Sequence, residues 1–194
     1  MVTSMKFFKS TVIILSVIVT LGCELGHPDF DETHRAALNG DTEAQVELGY
    51  LYHDGKGVAQ SYLKAMEWWQ KAAEQGNAFA QFNFAVTMLT APDPNINRDY
   101  DVAIKWYQAA AEQGHPYAQF NLANDYYNRE RDLIKAYAWF FVAAAYSEGD
   151  TIAAKRRDDV ARELESTGQM WEGQALATEL LEKYGGRRLE VKRR

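Results

Sequence analysis

The sequence predicts an all-α solenoid built from antiparallel helix pairs, and three observations carry that reading. First, the stretch from Met66 to Phe82, "MEWWQKAAEQGNAFAQF", returns at Ile104 to Phe120 as "IKWYQAAAEQGHPYAQF", with ten of seventeen positions identical at an offset of 38. Second, the apolar residues inside the repeat stand three or four apart, as on one face of a helix: Leu63 with Met66, Ala65 with Trp68 and Trp69, Trp69 with Ala72 and Ala73. Third, a glycine closes each unit, at Gly40, Gly76, Gly114 and Gly149, and "AEQG" reads as a last helical turn with its C-cap. A period of 35 to 38 residues lies in the solenoid range, where each unit buries its apolar face only by stacking on its neighbours.

Taken in order, the chain begins with "MVTSMKFFKSTVIILSVIVTLGC": Lys6 and Lys9, a charge-free run from Ser10 to Gly22, then Cys23, the only cysteine. The run is too short to span a bilayer comfortably and has the form of an export signal. It resembles the signal peptide and lipobox of bacterial lipoproteins, with Thr20 where that pattern usually has leucine. The resemblance implies cleavage before Cys23 and acylation of its thiol, which also accounts for an exported chain without a disulfide framework. Glu24 in place of an aspartate favours the outer membrane, facing the periplasm. Residues 1–22 are thus expected to be a signal peptide and residues 23–31 a tether.

The repeat region follows over residues 32–184. Aligned on Ala44-Gln45, Ala80-Gln81 and Ala118-Gln119, the units run over about 41–76, 77–114 and 115–149, each with an aromatic pair in its second helix: Trp68-Trp69, Trp106-Tyr107 and Trp139-Phe140. The first unit turns between its helices through "HDGKGVAQS", with two glycines for backbone freedom. The second turns through "APDPNINRD", two residues longer between Gln81 and Trp106, where Pro92 and Pro94 stop the preceding helix. The third has a loop shortened to about "NRERD". Residues 150–184 read as a capping helix pair, and residues 185–194, "GGRRLEVKRR", as a basic tail.

On Ala44, Leu48, Gly49, Tyr52, Gly55, Gly57 and Val58, then Ala65, Trp68, Trp69 and Lys71 to Gly76, the chain closely resembles the Sel1-like repeat family, relatives of the tetratricopeptide repeats. The second and third units depart from the pattern, with Phe84-Ala85 and Leu122-Ala123 where Leu48-Gly49 stands. The resemblance implies a right-handed superhelix whose concave face binds other proteins. Transferring the tetratricopeptide convention points the following first-helix residues into that groove: Glu43, Val46, Tyr50, His53 and Asp54; Phe79, Phe82, Val86, Leu89 and Thr90; Tyr117, Phe120, Asn124, Tyr127 and Asn128. Aromatic side chains suit such a surface because they carry much of the energy of protein interfaces. Phe82 and Phe120, each beside the shared glutamine, are also candidates for packing against the next helix, a structural role that their repetition favours.

Charge and chemistry narrow the function. The net charge is −6, and it conceals an acidic body, since both the N-terminal lysines and the tail are basic. An acidic body excludes nucleic acid as the main partner, because a phosphate backbone requires a basic surface. His27, His34, His53 and His115 form no close pair, and His115, at a helix start, is expected to be a surface or cap residue. There is no HExxH, phosphate-binding glycine loop or serine elbow, so no catalytic residue, metal or cofactor is expected. Asp93, Asp99 and Asp101 around the second loop lack the ordered ligand spacing of a calcium site. The expected function is a non-catalytic scaffold at the bacterial cell envelope, anchored to the membrane by lipid and binding a protein or peptide. The alternatives are a hydrolase of an envelope polymer, with Glu43 and Asp54 as acid and base, and an immunity-type inhibitor whose acidic surface plugs a basic secreted protein.

Overall fold

The computed structural model describes residues 28–146 and 151–184. Among them it is all helical: α1 (Pro28–Leu38), α2 (Thr42–Asp54), α3 (Tyr62–Glu74), α4 (Ala78–Thr90), α5 (Tyr100–Glu112), α6 (Pro116–Asp125) continued by a π-helical turn (Tyr126–Glu130), α7 (Leu133–Tyr146), α8 (Thr151–Thr167) and α9 (Met170–Tyr184). Consecutive helices pack antiparallel, α2 on α3, α3 on α4, α4 on α5 and so on, giving a solenoid of paired helices. The signal-peptide and lipid-anchor expectations, and the basic tail, fall outside the described residues. Helix α1 begins at Pro28, inside the stretch expected to be a tether.

Capping chemistry starts each first helix at the same place. Asp41, Asn77 and His115 are N-caps of α2, α4 and α6, and each side chain accepts the amide three residues on, at Ala44, Ala80 and Ala118. Ser61 and Asp99 do the same for α3 and α5. Gly40, Gly76 and Gly114 stand just before three of these caps with φ near +90°, which lets the chain reverse.

A glutamine ladder then locks unit to unit. Gln45 Nε2 donates to Ala37 O (3.1 Å), Gln81 Nε2 to Ala73 O (3.2 Å) and Gln119 Nε2 to Ala111 O (3.1 Å). Each bond is a second one to a carbonyl at the end of the preceding helix, which also accepts the amide of the closing glycine, Gly40, Gly76 or Gly114. The glutamine of "AEQG" completes the ladder, Gln75 donating to Gln45 Oε1 (2.7 Å) and Gln113 to Gln81 Oε1 (2.8 Å). Because Gln45 bonds α1 as Gln81 bonds α3, α1 occupies the place of a second helix preceding the first unit.

Alanines at the crossings, among them Ala65, Ala72, Ala80, Ala103, Ala110 and Ala118, are fully buried and let the helices approach closely. The core runs in two clusters, one over α1 to α5 and one over α4 to α9, and Phe82 and Ile104 pack against both. At the far end α7 packs on both α8 and α9, with Trp139 stacked on Tyr184 at 5.8 Å.

Candidate functional site

The first helices, α2, α4, α6 and α8, stand side by side, and side chains bridge between them. Asn77 Nδ2 donates to Glu43 Oε1 (3.3 Å), Asn83 Nδ2 to Tyr50 OH (2.6 Å) and Tyr127 OH to Glu163 Oε1 (2.5 Å). The row therefore crosses from α2 to α4 and from α6 to α8. The hydrogen bond to Glu163 raises the pKa of the Tyr127 phenol.

The expected groove residues separate into three groups. Val46 is a correction: it is buried in the core, and its carbonyl accepts Trp69 Nε1 (3.1 Å), so it offers no surface. Tyr50, Phe79, Phe82, Phe120 and Tyr127 are half-buried and already in contact with neighbours. Tyr50 meets Trp69 edge-on, Phe120 meets Phe140 edge-on, and Phe79 and Phe82 both meet the His115 ring. Val86 and Leu89 are likewise half-buried against the core, and the accessible members are Glu43, Asp54, Thr90, Asn128 and above all Tyr117, 56% exposed, with His53 and Asn124 partly so. Asn124 and Asn128 return one hydrogen bond each to the backbone one turn earlier, at Phe120 O and Asn124 O.

His115, at the start of α6, is covered by rings of the preceding unit. It is a cap, as expected, but only 2% exposed, sandwiched at 4.4 Å on Phe82 and edge-on to Phe79 at 5.1 Å. Its Nδ1 accepts the Ala118 amide, so the neutral ring carries its proton on Nε2. Burial lowers its pKa to about 4. With Tyr117 beside it, this ring cluster forms an aromatic floor at the α4–α6 step of the first-helix row.

The acidic candidates do not form a catalytic pair. Glu43 and Asp54 lie at opposite ends of α2, eleven residues apart, or roughly 16 Å at 1.5 Å per residue. Paired glycosidase carboxyls stand at most about 9.5 Å apart. Lys56 and then His53, both hydrogen-bonded to it, hold the Asp54 carboxyl below the usual carboxylate range, the wrong direction for a general acid. In the second loop Asp93 accepts the Asn95 amide, Asp99 caps α5 and Asp101 pairs with Arg129. Among the described residues no group of three or more His, Cys, Asp or Glu is placed to hold a metal, and no helix is long and apolar enough to cross a membrane.

Comparison with known proteins agrees with this geometry. The Sel1 repeat model matches residues 42–77, 78–115 and 116–145. A Sel1 repeat protein from Oxalobacter formigenes is 33% identical, with 68% of this chain aligned to 98% of that one at a TM-score of 0.57. A protective antigen present in uropathogenic Escherichia coli strains, described as displaying an SLR fold, is 26% identical at a TM-score of 0.58. That alignment covers 81% of this chain but 41% of the antigen, so the chain spans about two-fifths of its length. No curated protein matches the sequence significantly. With its helix pairs, its glutamine ladder and three consecutive matches over more than half its length, the chain belongs to the Sel1 repeat family, whose fold typically mediates protein–protein interactions.

Proposed function

We propose that this protein is an adaptor of the bacterial cell envelope, held to the membrane by a lipid on Cys23, that binds a protein or peptide partner along its first-helix face. The observation that carries the groove is Tyr117: a large aromatic side chain, more than half exposed, set on a floor of Phe82 and His115. An exposed ring on a rigid support loses little freedom on binding, which is the character of an interface anchor. Glu43, exposed at the start of α2, gives the first unit of that face a carboxylate, suited to a partner segment with a basic residue at the matching position. The envelope placement draws support from the N-terminal pattern ending at Cys23 and from a relative described as a protective antigen.

Two experiments test the two halves. Metabolic labelling with a palmitate analogue should mark the full chain and should fail with Cys23→Ser; an unlabelled wild type would remove the lipid anchor. Affinity capture from envelope extract should retain a partner with wild type and lose it with Tyr117→Ala/Glu43→Lys, both substitutions being at exposed positions. Capture unaffected by that pair would move binding off the groove.

A further inference from the structure

The second unit carries a cavity built by its own irregularity. Its connection between α4 and α5 is the longer, proline-containing one, and it is held in place by three interactions. Arg98 Nη2 donates to Ala91 O (2.6 Å), the Asn95 amide donates to Asp93 Oδ1 (2.9 Å), and Ile96 is turned inward, 5% exposed. The loop thereby borders an open depression of about 310 Å³ between α3 and α5, with Phe84 and Met88 of α4 beneath it, at the small end of the roughly 300–1,000 Å³ span of ligand pockets. Leu63, Met66, Phe84, Met88, Ile96 and Val102 line it. Two methionines give a lining that adjusts to the shape of a guest.

The rim is acidic. Glu67 and Asp99 border the cavity. Both are exposed, and neither is in an ion pair among the described residues. The α3 lysines that could neutralise Glu67 point to aromatic rings instead, Lys64 to Tyr52 at 5.2 Å and Lys71 to Trp68 at 4.0 Å. Asp99 keeps Oδ1 on the Val102 amide as the cap of α5, and an apolar floor with two carboxylates outside any ion pair at its edge is complementary to one kind of side-chain pair: a bulky apolar group next to a cation.

We propose that this cavity on the α3–α5 face is a second docking site, distinct from the first-helix groove, which takes a large apolar side chain flanked by lysine or arginine from a partner polypeptide. The aromatic or leucine side chain enters among Met66, Met88 and Ile96, and the flanking cations meet Glu67 and Asp99. A partner bound on the first-helix face leaves this site free, so one copy of the protein can hold two segments at once.

The test uses the full chain with ¹³C-methyl methionine, in which Met66 and Met88 report on the cavity and Met170, on α9, serves as the control. The probe is the peptide Lys-Lys-Trp-Lys-Lys, with Glu-Glu-Trp-Glu-Glu as its charge-reversed counterpart. The lysine peptide should shift the Met66 and Met88 methyls and leave Met170 in place, and the glutamate peptide should shift neither. Glu67→Lys, at an exposed position, should weaken the lysine peptide about tenfold, while Tyr117→Ala should leave it unchanged. Cavity methyls that stay still at millimolar peptide, equal response to both peptides, or equal affinity in Glu67→Lys would overturn the proposal. Loss of the shifts in Tyr117→Ala would place the peptide in the groove and overturn it as well.

Discussion

The first and second units solve one packing problem in two ways. In the first, Gly49 faces Trp69, and a Cβ added at Gly49 would lie 2.2 Å from the indole Nε1. The indole cannot move aside, because its Nε1 bonds Val46 O and Tyr50 meets its face edge-on. In the second unit the equivalent residues are Ala85 and Tyr107, and in the third Ala123 and Phe140. The Cβ appears where the ring is smaller. A repeat therefore conserves the volume shared by two helices, and neither residue of the pair is fixed on its own.

The sharpest way to break that compensation is Gly49→Ala, which should cost upwards of about 3 kcal/mol in urea unfolding by overpacking against a fixed ring. The double variant Gly49→Ala/Trp69→Tyr, which copies the second unit into the first, should recover at least half of the loss. A double variant as unstable as the single one would show that the units are not interchangeable at this crossing.

The caps give a second comparison. Asp41 and Asn77 accept the Ala44 and Ala80 amides through side-chain oxygens, whereas His115 uses a ring nitrogen and must stay neutral to accept the Ala118 amide. Its folded pKa, lowered to about 4 by burial, lies below the unfolded value of 6.5. Stability is thus complete above pH 6.5 and is lost as pH falls towards 4, by about 3 kcal/mol if nothing else titrates. His115→Asn, the residue of the second unit, should flatten that slope in thermal unfolding between pH 7 and 4. An unchanged slope would assign it to other groups.

The ladder differs between units too. Gln81 bonds both Ala73 O and Gln113, while Gln119 bonds Ala111 O and has no partner for its Oε1 among the described residues. Gln81→Leu should cost about 2 kcal/mol, and Gln119→Leu measurably less. The smallest effect concerns the turns. Gly55 takes a left-handed conformation at φ 71° in the first unit, and Arg131 takes it at φ 58° in the third. Arg131→Gly should stabilise by no more than about 1 kcal/mol, since the relief of backbone strain is partly offset by loss of the guanidinium over Tyr127.

What was legible in the sequence follows from the same comparison. The helix pairs were readable because glycine closures, aromatic pairs and alanines recur at near-constant spacing, and periodic packing leaves a periodic text. The repeated Ala-Gln was visible as well, yet its role was not, since a hydrogen bond from Gln81 to Ala73 joins residues that a linear pattern does not pair. The burial of His115 was hidden for a related reason. A histidine at a helix start looks like a surface cap until Phe79 and Phe82 from the preceding unit are seen to cover it. Val46 failed through borrowed convention: the groove positions of a related repeat do not allow for Trp69 reaching across to its carbonyl. The α3–α5 cavity arises where the second unit departs from the pattern, and pattern matching discards such departures.

The most direct test of the central claim, that the first-helix face is where this scaffold meets its partner, is site-specific photocrosslinking of the full chain in intact cells. A photoreactive phenylalanine at Tyr117 should yield a discrete adduct with one protein, and the same probe at Glu179, exposed on α9, should yield none. Adducts from position 179 with none from 117, or none from either, would contradict the account.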